Sequence, residues 1–184
     1  MNTPWGKSDS KITLARGVSW VSTPSHGGFM ISKRFANLYF SAAAVKRGQE
    51  YGGYLAYEED CDATIILFET RAFDDQLGIT RNMDAERLQG LSRWHADYLI
   101  ERSITPDPEG LKFFNDNRLQ DRMRAEKSPN LIVSASGDWK ASVPKGWVEV
   151  ITADGSKHLV LASEYDNRTN LNLLSNYPNA KKVA

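Results

Sequence analysis

Two short segments concentrate the side chains of this chain that could do chemistry. The first is Thr23-Pro24-Ser25-His26-Gly27-Gly28 and the second is Tyr57-Glu58-Glu59-Asp60-Cys61-Asp62. The second holds four carboxylates within five residues. Because like charges repel, this acidic run needs a cation, basic neighbours or full hydration in a folded protein. In the first segment, the glycines beside His26 allow the sharp turn that would bring an imidazole close to a ligand.

If the acidic run folds against His26, the cluster has the ligand types that bind a divalent metal, with a free carboxylate as general base. This hypothesis gives catalytic roles to His26, Glu58, Glu59 and Asp60. The alternative is that His26 bonds locally to a carboxylate or carbonyl and stabilises a hairpin, since the fixed ligand spacing of common metal sites is absent. Opposed charges predict that His26 lies within about 10 Å, one Debye length, of a carboxylate of the acidic run.

Cys61 is the single cysteine, so an internal disulfide framework is excluded. With no secretory signal at the start, this favours a reducing cytoplasm. The neighbours Asp60 and Asp62 disfavour a thiolate, and burial on the inner face of a helix would disfavour it further. We therefore interpret Cys61 as a core residue and not as a nucleophile.

The chain has 184 residues, which suits one domain, and we predict that domain over residues 1–175 with a flexible tail at 176–184. Lys plus Arg and Asp plus Glu number 23 each, so nucleic acid is not favoured as a partner. No apolar run reaches the roughly 20 residues of a membrane span.

Charge is distributed unevenly along the chain. Residues 1–57 carry seven Lys or Arg and two acids, whereas residues 58–75 carry seven acids and one Arg. An intramolecular charge pairing or a basic partner-binding groove in the first third would explain this asymmetry.

The patterns predict an α+β fold, with an N-terminal β-hairpin and C-terminal antiparallel strands packed with three or four helices. Strand-like residues before Thr23 and after Gly28 predict a hairpin around His26. We expect Ser32 to cap a helix through Val45, and a further helix to begin in the acidic run. A C-terminal hairpin is predicted across the Asp-Gly turn at residues 154–155.

Two amphipathic helices are predicted in the centre of the chain, the first from Asp84 through Leu99 and the second from Glu109 through Lys127. The second helix mixes both signs of charge on its outer face. This face is either a solvated surface stabilised by pairs at three- and four-residue spacing or the rim of an interface. The interface hypothesis makes Arg118 and Arg122 the candidate binding residues.

Five motifs together resemble an uncharacterised domain family carried by bacteriophages, plasmids and related mobile elements. They are Thr3-Pro4-Trp5-Gly6, the two segments above, Gly137-Asp138-Trp139 with Val143-Pro144-Lys145-Gly146, and Ala162-Ser163-Glu164-Tyr165. The resemblance implies a genomic context and no established reaction, and residues 70–130 match no pattern of the family.

The resemblance leads us to expect a mobile-element accessory protein that binds a host protein or complex, with a host defence system as its target. On this hypothesis the protein works in the host cytoplasm, without a membrane and without a cofactor. The alternative is a metal-assisted hydrolase or transferase that uses His26 and the acidic run at 58–62, and this alternative requires a divalent metal.

Overall fold

A computed structural model describes residues 1–166 and 171–183. Its internal contacts divide the chain into two compact units, residues 1–111 and 112–184. The single domain over residues 1–175 stays a prediction. Antiparallel sheets and α-helices occur in both units, so the predicted α+β class is confirmed.

Antiparallel strands form the framework of the N-terminal unit. These are β1 (Asn2–Thr3), β2 (Gly6–Lys7), β3 (Ser10–Ala15), β4 (Val18–Ser22), β5 (Gly27–Ser32), β6 (Gln49–Tyr51) and β7 (Tyr54–Glu58). Strands β1 and β2 pair with each other, and the remaining five form one sheet in the order β3-β4-β5-β7-β6. The predicted hairpin is therefore confirmed, with His26 in the turn between β4 and β5.

Helices follow the strands in the same unit. They are α1 (Lys33–Tyr39), α2 (Ala42–Val45), α3 (Ala63–Glu69), α4 (Asp84–Trp94), α5 (Ala96–Glu101) and α6 (Pro108–Ala125), of which α6 continues past residue 111. A short 3₁₀ turn lies at Asp75–Leu77. The main core is built from strands β3, β4, β5 and β7 and helices α1 to α5, with Phe29, Ile65 and Leu91 fully buried.

Three predicted helices differ from the observed ones in their bounds. The helix capped by Ser32 ends at Tyr39, because Phe40 is extended and Ser41 caps a second helix. The helix expected to begin in the acidic run begins at Ala63, since residues 54–58 pair with β5 as a strand. The helix from Asp84 is interrupted at His95, whose backbone is not helical. This break lets Tyr98 and Leu99 enter the core while Trp94 stays exposed.

The C-terminal unit holds a second antiparallel sheet. Its strands are β8 (Ile132–Ser136), β9 (Trp147–Thr152), β10 (Lys157–Leu161) and β11 (Lys181–Lys182), in the order β11-β10-β9-β8. Helix α7 (Ala162–Tyr165) follows β10, and a 3₁₀ turn lies at Leu174–Asn176. The predicted hairpin across the Asp-Gly turn is confirmed, because β9 pairs with β10 and Gly155 has a φ of 87°.

The segment predicted as a flexible tail takes part in this second unit. Tyr177 is buried in a small core with Ile132, Val150 and Val160, and β11 pairs with β10. The apolar ring and the backbone pairing hold the described part of residues 176–184 on the sheet. Among the residues that the structure describes, none of the helices combines the length and apolar character needed to cross a membrane.

Candidate functional site

The two reactive segments meet because β5 and β7 are neighbouring strands. Gly28 is paired with Glu58 in the sheet, and the backbone N–H of Glu59 donates to the carbonyl of Gly27 at 3.0 Å. A Cβ at Gly28 would collide with the carbonyl oxygen of Tyr57, and one at Gly27 would collide with the Glu59 carboxylate. The two glycines therefore permit the close approach that places His26 over the acidic run.

His26 lies beside the acidic run, as the opposed charges predicted. Its Nδ1 atom is 3.2 Å from Glu58 Oε1, and the His26, Glu58 and Glu59 side chains each place one ligand-type atom within 4.8 Å of the others. We call these three residues the His26 cluster. Asp60 approaches it through its backbone only, since its N–H donates to Glu58 Oε2 at 2.9 Å. Of the four predicted catalytic residues, the structure thus brings together the side chains of three.

Cys61 lies in the turn before α3 and not inside a helix, and its side chain is half-buried. Its thiol donates to Glu58 Oε2 across 3.7 Å. Burial, and then the charges of Asp62 and Glu58, raises the pKa of the Cys61 thiol to about 12. The thiol form therefore dominates at neutral pH, which agrees with the sequence argument against a nucleophile.

His95 belongs to a second group of ligand-type side chains, which sequence reasoning missed because the pattern predicts one continuous helix from Asp84 through Leu99. It sits at the break between α4 and α5, and its Nε2 atom lies 3.1 Å from Asp62 Oδ1. The contact lacks hydrogen-bond alignment, so this buried nitrogen has no hydrogen-bond partner within residues 1–166 and 171–183. Cys61, Asp62 and His95 place ligand-type atoms within 4.8 Å of one another, and we call them the His95 cluster.

A separate groove of about 550 Å³ lies at the start of α1. We call it the arginine groove, and it is lined by Arg16, Gly17, Ser32, Arg34, Phe35, Leu38 and Tyr39. Gly17 has a φ of 91°, and a Cβ there would come within 2.5 Å of Ser32 Oγ. Only glycine therefore lets the β3–β4 turn, which carries Arg16, close against the first turn of α1.

Charge and exposed apolar surface occur together in this groove. Leu38 and Tyr39 are 66% and 68% exposed, which is high for large side chains, and the Tyr39 ring packs 4.5 Å from the ring of Phe35. Within the described parts of the chain, the side chains of Arg16 and Arg34 form neither a hydrogen bond nor an ion pair. By contrast, Lys33 between them in sequence pairs with Glu50 at 2.9 Å.

The model of a domain of unknown function, DUF7007, matches residues 1–110. This chain belongs to the DUF7007 family. The match ends one residue before the boundary of the N-terminal unit at residue 111, so the DUF7007 domain corresponds to one compact unit. No curated protein and no solved structure gives a significant match.

Both clusters and the arginine groove lie inside the DUF7007 domain, whereas Arg118 and Arg122 lie outside it on α6. These two arginines line a pocket of about 620 Å³ together with Asp116 and Asp121. The guanidinium of Arg118 stacks 4.7 Å from the centre of the Phe114 ring. Acids and bases alternate here, so the surface presents no single sign of charge to a partner.

Proposed function

We propose that this chain is a binding protein whose DUF7007 domain holds an acidic segment of a partner protein in the arginine groove. The observation that carries the proposal is the placement of two arginines without ion pairs beside exposed Leu38 and Tyr39. An arginine fork binds a carboxylate through two parallel hydrogen bonds, so acidic side chains are its natural ligands.

The apolar part of the groove gives the partner a place for an anchor. Interface energy concentrates on aromatic and arginine residues in desolvated pockets, while charges at the rim mainly steer and orient the partner. Leu38 and Tyr39 supply apolar surface, and Arg16 and Arg34 supply the orienting charge. The occupant we propose is therefore an acidic segment with an aliphatic or aromatic side chain between its carboxylates.

We infer the class of partner from the resemblance of the sequence motifs to a family carried by mobile elements. The resemblance to mobile-element proteins supports an accessory protein that works in the host cytoplasm, and a host defence complex is the partner we propose. The neutral charge of the whole chain agrees with a protein partner better than with nucleic acid, which requires a large basic surface.

Binding of fluorescein-labelled peptides, measured by anisotropy, tests the groove. We expect an acidic peptide with leucine and tyrosine anchors to bind, and its lysine counterpart not to bind. Arg16→Glu with Arg34→Glu should weaken binding by roughly tenfold or more. The matched control, Arg118→Glu with Arg122→Glu, makes the same change in net charge and should alter binding by less than about twofold.

The control separates the two arginine surfaces. Equal losses of peptide binding in both double variants would mean that overall charge causes the effect. A loss confined to the α6 variant would mean that the interface lies at Arg118 and Arg122.

The partner class is tested in bacteria that carry a defined restriction system. Expression of the protein should raise the plating efficiency of a restricted phage, and the groove variant should abolish that rise.

A second candidate function, metal-assisted hydrolysis, is favoured by the His26 cluster. An imidazole 3.2 Å from Glu58 with Glu59 in reach supplies both metal ligands and a general base. Turnover of p-nitrophenyl phosphate or acetate with Mn²⁺ tests it, and His26→Gln should abolish turnover while the protein stays folded. Absence of Mn²⁺-dependent turnover in the unsubstituted protein would remove this candidate.

A further inference from the structure

We propose that Cys61, Asp62 and His95 form a binding site for a zinc-type transition-metal ion. The three ligand-type atoms lie within 4.8 Å of one another and come from two separate elements, the turn before α3 and the junction of α4 with α5. Two nitrogen or oxygen ligands of tetrahedral zinc lie about 3.4 Å apart. The 3.1 Å separation of His95 Nε2 and Asp62 Oδ1 is close to that spacing.

The condition of His95 is an independent reason to place an ion here. Buried ring nitrogens normally have a hydrogen-bond partner, and an unsatisfied one destabilises the fold. His95 Nε2 is buried and has none in the described parts of the chain, although Asp62 is near. A metal ion between the two side chains would give the nitrogen a ligand bond and would give the carboxylate a counter-charge.

Hydrogen bonds to both neighbouring helices hold the backbone of His95 in place. The His95 N–H donates to the Leu91 carbonyl at 2.7 Å, and the His95 carbonyl accepts from Tyr98 at 2.9 Å. These bonds tie the residue to the end of α4 and to the first turn of α5 at once. A ligand whose backbone is already ordered loses less conformational freedom when an ion binds.

The chemistry of the ligand set selects the class of ion. Sulfur, imidazole and one carboxylate suit zinc or cobalt, whereas magnesium and calcium require oxygen ligands. Three protein ligands leave a fourth position for water or for Glu58, whose Oε2 atom is 3.7 Å from the Cys61 sulfur. The His26 cluster is richer in oxygen and more exposed, so it is the poorer zinc site of the two.

Metal binding by the full chain tests the proposal. Zinc affinity is measured after dialysis by competition with a chromophoric chelator, and we expect one ion per chain. Substitution of a residue that hydrogen-bonds to a metal ligand typically weakens metal binding roughly 10–100-fold. Cys61→Ser and His95→Gln remove ligands themselves, so each should weaken zinc binding by more than that. His158→Gln is the matched control in the C-terminal sheet and should leave the affinity unchanged, and His26→Gln should do the same.

Cobalt gives a readout that does not depend on the folding of variants. Because Cys61 is the single cysteine, a thiolate-to-cobalt charge-transfer band in the unsubstituted protein identifies it as a ligand. Zinc should also slow the reaction of Cys61 with a thiol reagent. Absence of the band, or loss of zinc binding in His26→Gln but not in His95→Gln, would overturn the proposal and leave His95 with Asp62 as an ion pair only.

Discussion

The two compact units differ in how much apolar surface they bury. Among the residues that the structure describes, the main core cluster of the N-terminal unit contains 17 buried residues, whereas that of the C-terminal unit contains four. Local polar contacts accompany the smaller core, such as the bond from the Tyr177 hydroxyl to Asn172 and the reciprocal contacts of Asn130 with Ser175. Hydrogen bonds of this kind contribute about 1 kcal/mol each.

Both candidate sites lie in the unit with the larger core. The side chains of Arg16 and Arg34 in the arginine groove are exposed, so their lack of ion pairs costs the fold little, whereas the His95 cluster contains a buried nitrogen without an aligned hydrogen bond within the described chain. A fold near 5–15 kcal/mol of net stability tolerates few buried groups of the latter kind. Sites of binding often depart from optimal local structure for this reason. The comparison agrees with our proposals, which place both sites in the DUF7007 domain.

The largest effect should come from removing core side chains in each unit. Ile65 is fully buried in the larger core, and Ile65→Ala should lower the free energy of unfolding by roughly 2–5 kcal/mol. Val160 is fully buried in the smaller core, and Val160→Ala removes fewer methyl groups and should lower it by roughly 2 kcal/mol. Scanning calorimetry should show two transitions, with each variant shifting one. A single transition shifted by both variants would mean that the units unfold together.

Local chemistry explains what the sequence could predict of this fold. Ser32 was expected to cap a helix, and its Oγ accepts from the backbone N–H of Phe35. The Asp-Gly pair at 154–155 was expected to close a hairpin, and it does so. The proximity of His26 to Glu58 followed from opposite charge and was confirmed. Each of these depends on residues close in sequence or on a strong electrostatic bias.

The His95 cluster and the arginine groove required the tertiary structure. A helical period through Leu91, Trp94 and Tyr98 predicts one continuous helix, because periodicity cannot reveal a single non-helical residue at His95. The groove brings Arg16 near Arg34 across the sheet–helix boundary, where the Ser32 N–H donates to the Gly17 carbonyl at 2.7 Å. The pattern of α6 is continuous across residue 111, so the sequence gives no signal for the boundary between the two compact units.

An intermediate effect is expected at Glu69 in the N-terminal unit. Its carboxylate accepts from the backbone N–H and hydroxyl of Ser41 at 3.1 and 2.5 Å, from the Tyr98 hydroxyl at 2.6 Å, and from Arg102. Burial alone would raise the pKa of Glu69, but these hydrogen bonds and then the charge of Arg102 lower it. Glu69→Gln should lower the free energy of unfolding by roughly 1.5–3 kcal/mol at pH 7.

The pH dependence gives this prediction its sign. A lowered pKa in the folded state means that the stabilisation is complete above the ordinary value of 4.5 and disappears as the pH falls below it. Urea unfolding of the N-terminal transition should therefore show the gap between Glu69→Gln and the unsubstituted protein closing in acid. A gap that stays constant from pH 7 to pH 3 would show that the variant acts through packing and not through charge.

The smallest effect is expected at Asp154 in the C-terminal hairpin. Its carboxylate accepts from the Thr152 hydroxyl at 2.6 Å and from the Ser156 N–H and hydroxyl at 3.0 and 2.9 Å. These hydrogen bonds, led by that from Thr152, lower its pKa from 3.8 to about 2. The stabilisation is therefore present above pH 3.8 and is lost between about 3.8 and 2.

Because the group is at the surface, Asp154→Asn should shift only the C-terminal calorimetric transition. This shift should be smaller than the shift that Glu69→Gln causes in the N-terminal transition. The turn itself should survive, since Gly155 keeps its positive φ. An equal shift of both transitions by Asp154→Asn would contradict the independence of the two units.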